Sequence, residues 1–397
     1  MNENEMLRLI EENERNNTAK LGDVNITEEV DRMKTLTRKI MVIGCGDGGC
    51  NIATAISKMT KDETFVIAYN TSRRNQATWE SNLTLIVDGE DGSGKFRDYS
   101  KETFKTKAHK TLLDNVTDIL NKDPEIAYII VCATADGGTG SGMSPMAAKL
   151  LQDNVDIPVI MIGVYPDSGA DATSHFNTLQ WQSEVEKIGL PYFVLDNNRT
   201  KDLPTKEGHQ AVNYEAAQIV SLLCGLEYGD TNISIIDNRN LYMLINQLGG
   251  HMYAAFSTKP VASTKSLDMY LEELINDRYQ VIPSQARGIG VFVRGTADML
   301  ARLDTSLFDF QYKYGNAILK FEHIEESDQA KIGILLTGCA DPSDRIMAIK
   351  NRYDDIMNNQ TSKKSMTDEL LGATANPLGN LSKRNNTGKS DMSALDL

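Results

Sequence analysis

The sequence predicts an α/β fold: a doubly wound, mostly parallel sheet, a long central helix, and then a smaller α+β domain, with flexible tails at both ends. Three observations predict it. Short β-rich apolar runs alternate with helical periods from Lys39 to Asn198, glycine-rich loops follow several of those runs, and the alternation stops beyond Asn198. At 397 residues, with 41% hydrophobic and 24% charged, the chain is long and apolar enough for more than one core.

Residues 1–38 are polar and charged, and Met6, Leu7, Leu9 and Ile10 form an amphipathic stretch that fits an arm helix as well as a loose extension. The strand runs follow in order: KIMVIG, FVIAYN, LTLIV, IAYIIVCATA, PVIMIGVYP and LPYFVLDNN. Between them the pattern places crossover helices over Cys50 to Met59, Lys101 to Asn121, Ser144 to Asp153 and Ala172 to Lys187. The first domain is therefore read as 39–209 and the central helix as 210–227. The second domain, 228–357, is expected to hold a helix over Asn238 to Gly250, strands at Gly288 to Val293 and Lys331 to Leu336, and a closing helix from Pro342 to Met357. Residues 358–397 are rich in Ser, Asn, Lys and Asp and read as a flexible tail.

Composition excludes several functions. Lys and Arg total 41 against 55 Asp and Glu, a net charge of −14, which argues against direct nucleic-acid binding through phosphate contacts. The amino terminus lacks a secretory pattern, and no apolar run approaches the roughly 20 residues of a membrane span. The five cysteines, Cys45, Cys50, Cys132, Cys224 and Cys339, lack C-x-x-C spacing and sit mostly in apolar runs, as reduced core thiols do. A cytoplasmic protein with no direct membrane contact is expected. His109, His175, His209, His251 and His323 show neither metal spacing nor a triad context. Met243, Met252, Tyr253 and Phe256 fall on helical spacing and read as core or longitudinal interface.

The chemistry lies in the loops, at the strand ends where open α/β sheets bind ligands. The first, Gly44-Cys-Gly-Asp-Gly-Gly-Cys50, joins a strand to a helix and collects bare amides at a helix amino terminus, an anion site in outline. It also fits G-x-G-x-x-G, but the second strand ends in Asn70 and Thr71 where a nicotinamide site places a carboxylate. Gly89 to Lys95 matches a P-loop as far as the lysine, and Phe96 then breaks the pattern. Its Gly92, Ser93 and Gly94 still let backbone amides approach a phosphate. In Asp136-Gly-Gly-Thr-Gly-Ser-Gly142, Gly137, Gly138, Gly140 and Gly142 read as backbone wrapped around a polyphosphate, with Thr139 and Ser141 as extra donors.

Those last seven residues resemble the tubulin/FtsZ signature, and Gly44 to Asn51 resembles the first nucleotide loop of that superfamily. The similarity runs with falling strength from Lys39 to Met357, and LPYFVLDNNR and TGCADP most resemble the TubZ branch of plasmids and phages. The resemblance implies GTP and GDP binding with Mg²⁺, head-to-tail polymerisation, and hydrolysis at the subunit junction. It implies that Gly46, Gly48, Gly49 and Asn51 contact phosphates; Asp47, a departure from the family pattern, reads as a metal partner or as pointing outward. Gly137 to Gly142 would wrap the β- and α-phosphates, the Gly92 to Lys95 loop would sense the γ-phosphate, and Asn70 and Thr71 would lie near Mg²⁺. Asn197 or Asn198, with Asn213 and Tyr214, would hold the sugar and the guanine edge; each also fits an ordinary turn, cap or core role.

The implied catalytic carboxylate, which positions water on the γ-phosphate of the next subunit, is Asp237, equally a natural helix N-cap. Its usual acidic partner falls at Asn240, which accepts no proton, so slow or absent hydrolysis is a second reading. Asp47 and Asp136 replace small residues in loops facing polyphosphate, where a carboxylate repels it unless a metal ion or water intervenes. The expected function is a polymerising GTPase of plasmid or phage DNA partition or phage positioning, acting through an adaptor. The alternatives are a filament that binds nucleotide without turnover and, disfavoured by Asn70, a nicotinamide oxidoreductase.

Overall fold

The computed structural model describes residues 39–224, 238–246, 248–257, 267–302, 317–326 and 331–372. The expected arm helix, Asp237 and the last part of the tail lie outside these residues. Six parallel strands build the amino-terminal half: β1 (Lys39–Cys45), β2 (Thr64–Asn70), β3 (Leu83–Ile86), β4 (Ile126–Thr134), β5 (Val159–Tyr165) and β6 (Tyr192–Asp196). Their spatial order is β3-β2-β1-β4-β5-β6, so the direction of winding reverses between β1 and β4.

These strands are continuous apolar runs because both faces are covered. Along β4, Tyr128, Ile130 and Cys132 enter one core, while Ile129, Val131 and Ala133 enter the other. The first core is closed by α1 (Gly46–Thr60) through Ile52, Ala53 and Ile56. The second is closed by α3 (His109–Lys122), α4 (Thr139–Asn154) and α5 (Ala172–Ile188), through residues such as Leu112, Met143 and Trp181. Before α3, a short α2 (Arg97–Thr103) and a π-helical stretch (Phe104–Ala108) replace the single helix expected over Lys101 to Asn121. The central helix, α6 (Thr205–Leu223), packs on the first face.

The carboxy-terminal half differs from expectation in three ways. First, its strands extend the same sheet: β7 (His251–Phe256), β8 (Gly288–Gly295), β9 (Leu319–Glu326) and β10 (Lys331–Cys339) complete, among the described residues, a ten-stranded order ending β6-β7-β10-β8-β9. The two halves join in register at Tyr192↔His251 and Phe193↔Met252. Second, Met252, Tyr253 and Phe256 lie on β7, so the helical spacing assigned to them is corrected. The helix α7 (Asn238–Asn246) ends earlier, and Gly249 and Gly250, at φ 55° and 70°, turn the chain into the strand. Third, after α8 (Leu267–Asn276) and α9 (Ala297–Arg302), the closing α10 (Ser343–Gly372) continues well beyond Met357. All five cysteines are buried and none forms a disulfide, as their apolar surroundings predicted.

Candidate nucleotide site

The turns after β1 and β4 flank the reversal point, and the elements around them enclose a cavity of about 510 Å³. Its walls are Cys45 to Gly48, then Asn70, Ser72, Arg74 and Asn75 at and after the end of β2, Asp91 to Gly94, and Thr134 with Asp136 to Gly140. Helix α1 begins at Gly46 and α4 at Thr139, several residues before the sequence pattern placed them, so the glycine loops are themselves the first helical turns. Neither N-cap, Cys45 or Gly138, supplies a side-chain cap, whereas on α5 the Asp171 carboxylate accepts from the Ser174 amide. Two helix amino termini without side-chain caps therefore converge on one cavity, with orphan amides and dipole ends suited to an anion.

Loop packing explains part of the glycine pattern and corrects the argument that polyphosphate wrapping alone demanded it. A Cβ on Gly140 would lie 2.7 Å from the Cys45 carbonyl, one on Gly138 2.7 Å from Lys95 Cα, and one on Gly142 2.8 Å from the Arg97 carbonyl. Gly137 is less constrained, its nearest neighbour being the Thr134 hydroxyl at 3.6 Å. Gly49 is buried and pressed against the Cys132 carbonyl. Ser141 is fully buried and donates to the Gly137 carbonyl, so Ser141, Gly142 and Gly49 lie behind the cavity.

Polar side chains tie the walls together. The Thr71 and Thr139 hydroxyls lie 2.8 Å apart, and Thr139 donates to Ser93 at 3.1 Å. Asn70 accepts from the Thr71 amide, and Asn75 donates to the Asp47 carboxylate at 2.9 Å. Ser72, Arg74, Asn75, Asp91 and Thr134 also line the cavity, although no sequence motif marked them. Lys95 holds the Asp171 carboxylate at 2.6 Å, and this hydrogen bond, with the Ser174 amide, keeps the Asp171 carboxyl below its usual range. Burial disfavours the charged Glu184 carboxylate, yet hydrogen bonds and charge from Arg97 and Lys101 outweigh that and lower its pKa.

Asp47, Asp91 and Asp136 line the cavity beside Arg74, but among the described residues no group of three or more His, Cys, Asp or Glu has metal-site geometry. That donor set fits a divalent ion carried mainly by phosphate oxygens with a carboxylate assisting, the usual manner of Mg²⁺.

Asn51, Asn213 and Tyr214 meet in an adjoining cleft of about 1030 Å³, with Lys58, Met59 and His209 on its walls. Tyr214 is 58% exposed, which removes the core alternative and leaves its ring available. The two asparagines of the short turn Asn197–Thr200 separate: the Asn198 side-chain oxygen accepts from the Ser168 amide at 3.2 Å, while the Asn197 side-chain oxygen is buried without a partner. Asn240 falls in the first turn of α7.

This architecture is the tubulin/FtsZ-like fold, and the sequence comparison agrees. Residues 39–204 match the model of the Tubulin/FtsZ family, GTPase domain. Among curated proteins it is 26% identical over 198 residues to the tubulin-like protein CetZ2 of Haloferax volcanii, covering 47% of this chain and 53% of that one. It is 23% identical over 244 residues to the tubulin-like protein TubZ of Clostridium botulinum C phage, covering 58% of this chain and 64% of that one. The alignment thus spans somewhat over half of each relative. Among solved structures, a GTPγS-form protofilament of Bacillus thuringiensis serovar israelensis TubZ superposes with a TM-score of 0.67 at 16% identity, over 84% of this chain and 94% of that one. CetZ2 of Haloferax volcanii, as a GTPγS-bound protofilament, gives 0.64 at 19%, over 81% and 99%. At these identities the superpositions speak to the fold.

Proposed function

We propose that the chain binds GTP and GDP with Mg²⁺ in the cavity between α1 and α4, polymerises head to tail, and hydrolyses GTP at the junction between copies. The observation that carries the reading is the convergence of two helix starts, neither with a side-chain cap, on one cavity beside the Asn51, Asn213 and Tyr214 cleft. The first-turn amides would hold the phosphates, as fixed dipoles do without reorganisation cost. Amides of Asn51 and Asn213 offer the paired donor and acceptor that a guanine edge requires, and Tyr214 offers a face for stacking. When bound, Mg²⁺ would neutralise phosphate charge, with Asp47, Asp91 or Asp136 assisting.

In this reading Asp237 of one copy orients water onto the γ-phosphate held by the next, a heterologous contact that propagates as a filament. Two structural neighbours, solved as protofilaments with GTPγS, support the assembly part of this reading. Likeness to phage TubZ supports a role in DNA partition or phage positioning in a bacterial cytoplasm, and the net charge of −14 favours an adaptor over direct DNA contact.

Light scattering with GTP, GDP and a non-hydrolysable analogue, read beside phosphate release, tests the cycle. Assembly with GTP and analogue but not GDP supports it, whereas equal signal in all three contradicts it. A second reading, nucleotide-dependent assembly without turnover, is motivated by Asn240 at the place of the second acidic residue. Phosphate release per assembled subunit separates the two, and Asp237→Ala is expected to assemble without release.

A further inference from the structure

We propose that Asn177, on α5, is a positioning residue that sets the spacing between the 92–97 loop and the 136–142 turn and aims the amides of that turn into the cavity. Its side chain is 3% exposed, and its amide nitrogen lies 3.1 Å from each of three carbonyl oxygens, those of Lys95, Asp136 and Gly137. Two of these belong to one cavity wall and the third extends from the other. The nitrogen carries two hydrogens, so three acceptors share them, and no other orientation of the amide serves: a flip would set its oxygen against three carbonyls.

The consequence follows from peptide geometry. In a trans peptide the N–H points opposite to the C=O. Drawing the Asp136 and Gly137 carbonyls toward α5 therefore turns the Gly137 and Gly138 amides away from it, on the side where these residues line the cavity. The opposite flank is also fixed, because Gly138 sits so close to Lys95 that a Cβ would come within 2.7 Å of Lys95 Cα. The same helix adds a second hold, since the Lys95 ammonium donates to Asp171 at 2.6 Å and Ser174 at 2.8 Å. Lys95 takes φ 68°, a conformation a side chain keeps only where its surroundings over-determine it. Asn177 thus makes the cavity a preformed receptor rather than two loops that assemble on a ligand. The effect on ligand rests on the proposed nucleotide reading; the clamp itself does not.

The test compares the full chain with Asn177→Asp, a near-isostere that sets a carboxylate against the three carbonyls, and Asn177→Ser, which removes the amide without adding charge. Hydrogen exchange without nucleotide is expected to quicken at residues 93–97 and 136–142 together, by about tenfold, with the strands unchanged. Binding of a fluorescent GTP analogue is expected to weaken by about tenfold in both variants. In Asn177→Asp the loss should reverse as pH falls from about 8 to about 5.5, because the protonated carboxyl donates again. Asp136, Lys95 and Asp171 face the same spot but are common to all variants, so a reversal absent from Asn177→Ser isolates position 177. Wild-type exchange at both segments in either folded variant, or loosening spread evenly over the chain, overturns the proposal. Should the Asp variant not fold, the Ser variant decides on exchange alone. Wild-type protein that binds no GTP sinks the functional reading while exchange still judges the clamp.

Discussion

The Thr71 and Thr139 hydroxyls meet at 2.8 Å across 68 residues of sequence, linking the loop after β2 to the first turn of α4. Thr139 passes the link on to Ser93, and all three residues are at most 9% exposed. Thr139→Val keeps the shape but strands two buried hydroxyls. It is expected to cost about 1–3 kcal/mol in urea unfolding and to weaken GTP binding, while Thr139→Ser stays near wild type.

Tyr214 and Asn213 test the adjoining cleft. With the ring 58% exposed, Tyr214→Ala should leave stability nearly unchanged yet weaken guanine-nucleotide binding by roughly tenfold, the scale of one lost stacking contact, while Tyr214→Phe retains it. Asn213→Asp should weaken GTP binding more than Tyr214→Ala does. Equilibrium titration of a fluorescent GTP analogue reads both.

His251 contributes to the acid limb of stability. Its fully buried ring stacks on Tyr192 with centroids 5.5 Å apart and contacts the Ala340 carbonyl at 3.2 Å. Burial depresses its pKa from 6.5 to about 4, against raising effects from the Ala340 carbonyl and Asp341. Between those values the unfolded chain binds a proton that the folded chain does not, so stability is full above about pH 6.5 and falls toward pH 4. The loss is about 3 kcal/mol, and His251→Gln should flatten that part of the urea stability profile against pH.

Arg345 joins α10 to the end of β6 through a two-pronged pair with Asp196, at 2.7 and 3.0 Å, and donates to the Pro166 carbonyl at 2.7 Å. Both side chains are largely buried, 13% and 5% exposed. Arg345→Ala leaves a buried carboxylate without its partner and is expected to cost about 3–5 kcal/mol, visible as a fall in Tm, whereas Lys350→Ala on the exposed face should change it little.

The amino-terminal half was legible because its strands are buried on both faces and so read as unbroken apolar runs between glycine loops. β7 was not: Met252, Tyr253 and Phe256 sit one and three positions apart, which fits a helix, and the informative signal was the Gly249-Gly250 turn before them. The continuation of the sheet depends on Tyr192 meeting His251, a pairing no local pattern encodes. At the site, the loop glycines were conspicuous but partly for packing, as Gly138 and Gly140 show. Asn177 and Arg97 were silent because their partners lie 40 and 44 or more residues away.

The central claim is that amides from two helix starts clasp a guanosine triphosphate. Calorimetric titration of the full chain with GTP, in the presence of Mg²⁺ and with GDP and NAD in parallel, tests it most directly. Saturable binding of about one GTP per chain, displaced by GDP and indifferent to NAD, is the predicted result. An absence of heat with GTP, or equal affinity for NAD, would contradict it.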